Sequence, residues 1–297
     1  MANIQTLQQA LQKQNIILMD GGMGTEILNR GLKTTLPLWS ADALLTHPDV
    51  VQAIHEDNIK AGAQIIITNT FMTTSRRFTK TTYGDRAKEA TIIACQLAQT
   101  ARKKTHTEDS VYIAGSVAPL EQCYHPELVP PDTALKKEHF ALVSHLAEEG
   151  VDFILAETMN TIRETLAILE AAQEHGLPVA ACFVCNDNEE LLSGESLADA
   201  VKAVALYDPL FIGVNCVSHD IATRTVRALT KLTDKPIAVY AQGDGAPGSD
   251  QGWEFDETHR DDAYIKAATQ WKADGATIIG GCCGTSPALI KRLEELC

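Results

Sequence analysis

Eight short apolar runs recur along this chain, and each is followed by a stretch with helical character. They occupy residues 16–19, 65–67, 111–114, 153–156, 179–184, 211–214, 237–240 and 276–279. The runs are nearly continuous in apolar residues rather than alternating, which is how a parallel strand covered on both faces reads. The segments between them open on capping residues and stop at glycine. Asp49 precedes Val50, Ile54 and Ile59, with a stop at Gly62; Pro131-Asp132-Thr133 opens a run that stops at Gly150; Thr161 opens one that stops at Gly176-Leu177-Pro178. Eight alternations of strand and helix predict an α/β fold of the (β/α)8 TIM-barrel class, since an open doubly wound sheet usually has fewer strands. The length of 297 residues and the 45% apolar content suit a single barrel domain over residues 1–297.

The formal charge of -14 is wrong for tracking phosphate backbones or anionic membranes, so neither nucleic acid nor membrane is expected as a partner. Small molecules are. Residues 1–14 are polar and amphipathic, without the long apolar stretch of a secretory signal, and no run is long enough to span a bilayer. The eight cysteines are irregularly spaced, which argues against a disulfide framework and for a reducing, cytoplasmic compartment.

In a barrel of this kind the residues just after each strand line one mouth. In chain order they are Asp20-Gly21-Gly22, Asn69-Thr70, Ser116, Glu157-Thr158, Asn215-Cys216, Gln242 and Cys282-Cys283. The irregular stretch 241–260, rich in Gly and Asp, follows the seventh strand and is expected to act as a lid. Adjacent strand side chains point to opposite faces, so Cys282 and Cys283 converge only if the backbone turns, which Gly281 and Gly284 permit. Cys216, at the end of the sixth strand, lies close around the ring. Three thiolates from two strand ends suit a soft or borderline metal, Zn2+ first, with an open fourth position for a substrate thiol. The reading is a zinc enzyme that activates a small thiol as a nucleophile.

Plainer readings compete. Buried cysteines often pack as small apolar groups, the reading given to Cys95, and to Cys182 and Cys185 despite their CxxC spacing. A vicinal Cys282–Cys283 disulfide is strained and ill suited to a chain without an export signal. Asp20 and Glu157 are read as holding a cation such as the α-ammonium of an amino acid; structurally, Asp20 would cap its own turn and Glu157 would pair with Arg163. Gly21-Gly22-Met23-Gly24 has neither dinucleotide spacing nor a P-loop lysine. His47, His55, His139 and His145 fall in helical segments and read as surface or core residues.

The segments Met19-Asp20-Gly21-Gly22-Met23-Gly24-Thr25, Leu38-Trp39-Ser40-Ala41, Thr68-Asn69-Thr70-Phe71, Glu157-Thr158, Gly213-Val214-Asn215-Cys216 and Gly280-Gly281-Cys282-Cys283-Gly284 carry a resemblance over nearly the whole chain. It resembles the zinc-dependent homocysteine S-methyltransferase family, whose members methylate a thiol to give methionine. The resemblance implies Zn2+ on Cys216, Cys282 and Cys283, the homocysteine amino group on Asp20 and Glu157, and backbone approach at Gly21 and Gly22. Asn215 and Trp39 are further substrate-binding candidates. Betaine-using members carry tyrosines where this chain has Thr158 and Met72, and S-methylmethionine-using members usually read Gly-Pro-Tyr-Gly where this chain reads Ser116-Val117-Ala118-Pro119. The missing tyrosines disfavour betaine, whose quaternary ammonium needs an aromatic cage, while the second departure bears on S-methylmethionine. The expected donor is a small sulfonium, S-methylmethionine first, with Trp39 and Trp253 as aromatic contacts. The alternatives are a non-catalytic zinc or thiol-ligand binding protein on the same barrel, a redox use of the cysteines, and a member using betaine or another methyl donor.

Overall fold

The computed structural model describes residues 4–12, 16–243, 245–246, 253–254 and 261–297. Eight parallel strands run in ring order: β1 (Ile17–Leu18), β2 (Ile65–Ile67), β3 (Tyr112–Val117), β4 (Phe153–Met159), β5 (Val179–Phe183), β6 (Ile212–Asn215), β7 (Ile237–Tyr240) and β8 (Ile278–Ile279). β1 pairs with β8, and a parallel bridge between Met19 and Ile65 closes the ring between β1 and β2. This is the barrel expected from the eight-fold alternation.

The continuous apolar runs have two destinations. Alternate residues, among them Ile17, Ile65, Ala114, Phe153, Ala180 and Ile278, fill the barrel interior. Their neighbours Leu18, Ile66, Ile113, Ile154, Ala181 and Ile279 face outward and pack in the layer under the helices. With no face left for water, polar alternation never develops. β3 and β4 run past their apolar stretches and carry Ser116 and Glu157 within the strand. A polar residue leaves the backbone ladder intact, so hydrophobicity alone stops too early.

The helices Pro48–Lys60, Asp132–Glu148 and Ile162–Glu174 match the segments bounded by caps and glycines. The first helix, Ile4–Gln12, sends Leu7 and Leu11 into the inner cluster with Phe153, Leu210 and Phe211, which stand at the N-terminal ends of their strands. At that same end Arg102 forms a buried ion pair with Asp152 (2.6 Å), whose carboxylate also accepts from the Ile113 N–H (2.7 Å). This pins the helix Ala87–Lys104 to the foot of β3 and β4. Of the expected lid, only residues 241–243, 245–246 and 253–254 are described, and there Ala246 pairs antiparallel with Glu254; the rest of 241–260 lies outside the described residues. No helix among the described residues is long and apolar enough to cross a membrane.

Candidate active site

Cys216 follows the last residue of β6 and takes a left-handed backbone, φ 53°. Beyond β8 the chain turns through Gly280–Gly284, where Gly284 has φ 79°. Gly281 was expected to serve the same turn, but it has no positive φ. Its glycine is needed for closeness instead: a Cβ there would come within 2.3 Å of Thr285 Oγ1. These turns bring the sulfurs of Cys216, Cys282 and Cys283 within 4.8 Å of one another.

The structure joins Cys216 and Cys282 in a disulfide (S–S 2.12 Å) and leaves Cys283 a free thiol, its sulfur 4.0 Å from that of Cys282. Three free thiols were expected at this point. Thiols that converge within bonding range can either oxidise or share a metal, and both outcomes need the same geometry. A metal takes only the thiolates, so the disulfide is the alternative, oxidised form of the donor set. The vicinal Cys282–Cys283 bond does not form. Three converging cysteine sulfurs are a donor set that could hold a metal ion when reduced.

Beside the sulfurs is a cavity of about 150 Å³ lined in part by Asp20, Trp39, Phe71, Tyr124, Glu157 and Trp253. Asp20 is 3% and Glu157 6% exposed. One Asp20 oxygen accepts the Ile67 N–H at 2.8 Å. Glu157 accepts from the Ser116 hydroxyl, from Tyr240 at 3.4 Å and from Asn215 Nδ2 at 3.5 Å. Burial pushes the Asp20 carboxyl well above its usual range, with the nearby Glu157 adding to the rise. Burial likewise pushes Glu157 up to about 7. No lysine, arginine or histidine lines this cavity among the described residues. The pairing of Glu157 with Arg163 does not occur: Arg163 bonds the carbonyls of Val129 and Pro130 and the Asp132 carboxylate.

The remaining expected site residues separate into wall and support. Gly21 and Gly22 line the cavity, but their N–H groups are taken by Asn58 Oδ1 (3.1 Å) and Thr285 Oγ1 (3.0 Å). Gly22 has to be glycine because a Cβ would stand 2.5 Å from the Cys282 carbonyl oxygen. Trp39 lines the cavity with its indole N–H buried and unpartnered among the described residues. Asn215 is fully buried behind the wall. Its amide oxygen accepts the Thr158 N–H and its amide nitrogen donates to the Thr158 hydroxyl, both at 2.8 Å. Thr158 is itself left-handed, φ 56°, where the β4–β5 register shifts between Ala156 and Met159. Asn215 therefore fixes the kink that follows Glu157.

The sequence description "Homocysteine S-methyltransferase" matches residues 17–297. The chain belongs to the homocysteine S-methyltransferase family. It is 30% identical over 302 residues to the Escherichia coli homocysteine S-methyltransferase, covering 97% of each chain. The metallated form of the E. coli homocysteine methyltransferase MmuM superposes with a TM-score of 0.84 at 29% identity, covering 97% of this chain and 99% of that one. The structure described as the oxidized form of the same enzyme gives 0.85 at 28% identity, with the same coverage. This homocysteine S-methyltransferase accordingly acts on small molecules, methylating homocysteine to methionine.

Several residues of the methyltransferase site have no signature in its sequence. Tyr240 closes β7 on Glu157, Asn58 and Thr285 hold the glycine loop, and Cys123-Tyr124 reach the cavity from the loop after β3. Of these, Tyr240 stood near a residue already read at the mouth, as the last residue of the seventh apolar run, two before Gln242.

Proposed function

We propose that this methyltransferase takes the methyl group from a small sulfonium, S-methylmethionine first, with Zn2+ held by Cys216, Cys282 and Cys283. The observation that carries the reading is the pair of buried carboxylates, Asp20 and Glu157, beside the sulfur cluster in a cavity that no cationic side chain lines among the described residues. Buried carboxylates need partners, and an amino-acid ammonium supplies one. When bound, zinc acidifies a thiol brought to its fourth position, so that a thiolate is present at neutral pH.

The chain's own residues bind and orient. Asp20 and Glu157 receive the homocysteine ammonium, with Ser116 and Tyr240 fixing the Glu157 carboxylate. Trp39, Phe71 and Trp253 line the same cavity and would offer aromatic contact to a sulfonium, each cation–π contact worth about 0.5–2 kcal/mol. The new bond forms between the homocysteine sulfur and the methyl carbon. The methyl–sulfonium bond breaks, its electron pair stays on the donor sulfur, and the donor leaves as a neutral thioether. The thiol proton passes to solvent, so no general base is needed.

The acidic balance supports small molecules over nucleic acid or membranes as partners, and the thiol chemistry supports a cytoplasmic setting. The test is methionine formation from homocysteine by the reduced protein, with metal analysis beside it. S-methylmethionine should outpace betaine, with S-adenosylmethionine as the second sulfonium. Faster turnover with betaine than with either sulfonium would defeat the donor assignment.

A further inference from the structure

The backbone of Cys216 is clamped from two other strands. The Tyr124 hydroxyl, from the loop after β3, donates to the Cys216 carbonyl oxygen at 3.3 Å. Gln242, just beyond β7, donates through Nε2 to the same oxygen at 3.1 Å and to the Tyr124 hydroxyl at 3.0 Å. Both lone pairs of one carbonyl are thereby filled, and the two donors are bonded to each other.

Each donor is anchored in turn. Gln242 donates its backbone N–H to the Val217 carbonyl (3.0 Å), and its own carbonyl faces His219 Nε2 at 2.9 Å. The loop bearing Tyr124 is tied down at three places. Glu164 accepts the Leu120 N–H (2.9 Å), Arg77 donates to the Glu121 carbonyl (2.8 Å), and Asn160 donates to the Cys123 carbonyl (2.8 Å). A side chain with a Cβ occupies the left-handed region only where its surroundings impose it. At Cys216 the backbone contacts that impose it are these two hydrogen bonds and its N–H bond to the Tyr240 carbonyl (3.2 Å), while the side chain is held by its bond to Cys282 and by Asn215 Nδ2 at 3.6 Å.

We infer that Tyr124 and Gln242 are positioning residues for the metal: by holding the Cys216 carbonyl they fix the left-handed turn that aims its sulfur at Cys282 and Cys283. The inference rests on the three-cysteine metal reading. In it neither residue is a ligand or touches the transferred methyl group; both act through the Cys216 backbone. Outer partners of metal ligands set affinity by about ten- to a hundred-fold, and here the outer partner grips the backbone rather than the ligand atom.

The experiment measures zinc affinity of the reduced protein by competition with a chromophoric chelator, and the thiolate-to-cobalt absorption of the Co2+-substituted protein. Tyr124→Phe keeps the ring and its packing and deletes only the hydroxyl. Gln242→Ala keeps the Tyr124 side chain and the backbone ties of its loop, losing only the Gln242 bond to the Tyr124 hydroxyl, and serves as the second variant should Tyr124→Phe fold poorly. Each should weaken zinc about tenfold and change the cobalt spectrum, and the double variant should fall well short of the product of the two. Wild-type affinity and spectrum in Tyr124→Phe would overturn the inference. So would a change confined to KM for the methyl donor, which would make Tyr124 a substrate contact. A wild type that binds no metal through its cysteines would overturn the three-cysteine reading itself, a result distinguishable from failure of the variants alone.

Discussion

At the scale of single residues, the site turns on two carboxylates that the fold buries with no cationic side chain beside them among the described residues. Asp20 has a backbone N–H and Glu157 has hydroxyls and an amide, so each is oriented; in the proposed function the compensating charge comes from the substrate. Glu157→Gln and Asp20→Asn should both keep the metal and weaken homocysteine use. Loss of a charge-assisted hydrogen bond costs roughly 1.5–3 kcal/mol, or about ten- to a hundred-fold in kcat/KM. Steady-state kinetics on metal-loaded variants checks this, and unchanged kinetics in both would move the ammonium elsewhere. The cysteines and these two carboxylates were legible because each stands directly after an apolar run. Asn215 stands in the same register, but its amide is engaged by Thr158, a pairing that no spacing in the chain announces.

At the scale of elements, two buried groups make the helix shell sensitive to pH and mutation. His55, on the helix Pro48–Lys60, is fully buried, with neither ring nitrogen hydrogen-bonded among the described residues. Burial pushes its pKa down to about 4 from an ordinary 6.5. The unfolded chain therefore takes up a proton before the folded one does. The stability His55 permits is complete above about pH 6.5 and falls as pH drops toward 4, by about 3 kcal/mol in all. Guanidinium midpoints at pH 7 and pH 4.5 should show a smaller drop in His55→Leu than in the wild type; equal drops would mean the ring is solvated. Arg102 poses the complementary case. Arg102→Ala leaves the Asp152 carboxylate buried without its cation and should cost about 3–5 kcal/mol, read as a fall in Tm without loss of the cysteine site. Elements were legible to within a few residues. The errors fell at Ser116 and Glu157, where strands continue through the polar residues that the site uses.

At the scale of the whole molecule, the barrel holds the three converging cysteines on two strand ends while the core lies elsewhere, so the site can be altered without unfolding the chain. Cys216→Ala should abolish metal binding and methyl transfer yet leave the thermal transition near that of the metal-free wild type. Retained full metal occupancy in that variant would show the ligand set to be wrong. Oxidation should act at the same atoms. The oxidised protein has six free cysteines, and the reduced chain has eight. A thiol titration in denaturant should rise accordingly on reduction, and metal uptake should appear only after it. The sequence alone determined the alternation of strands and helices, the set of cysteines and the two carboxylates, because periodicity and strand ends are written in neighbouring residues. Only the tertiary structure decided that Tyr124 meets a carbonyl 92 positions away and that Asn215 pins a turn 57 positions away. Such contacts depend on how eight strands stagger as the ring closes, and that closure brings together residues with no local pattern in common.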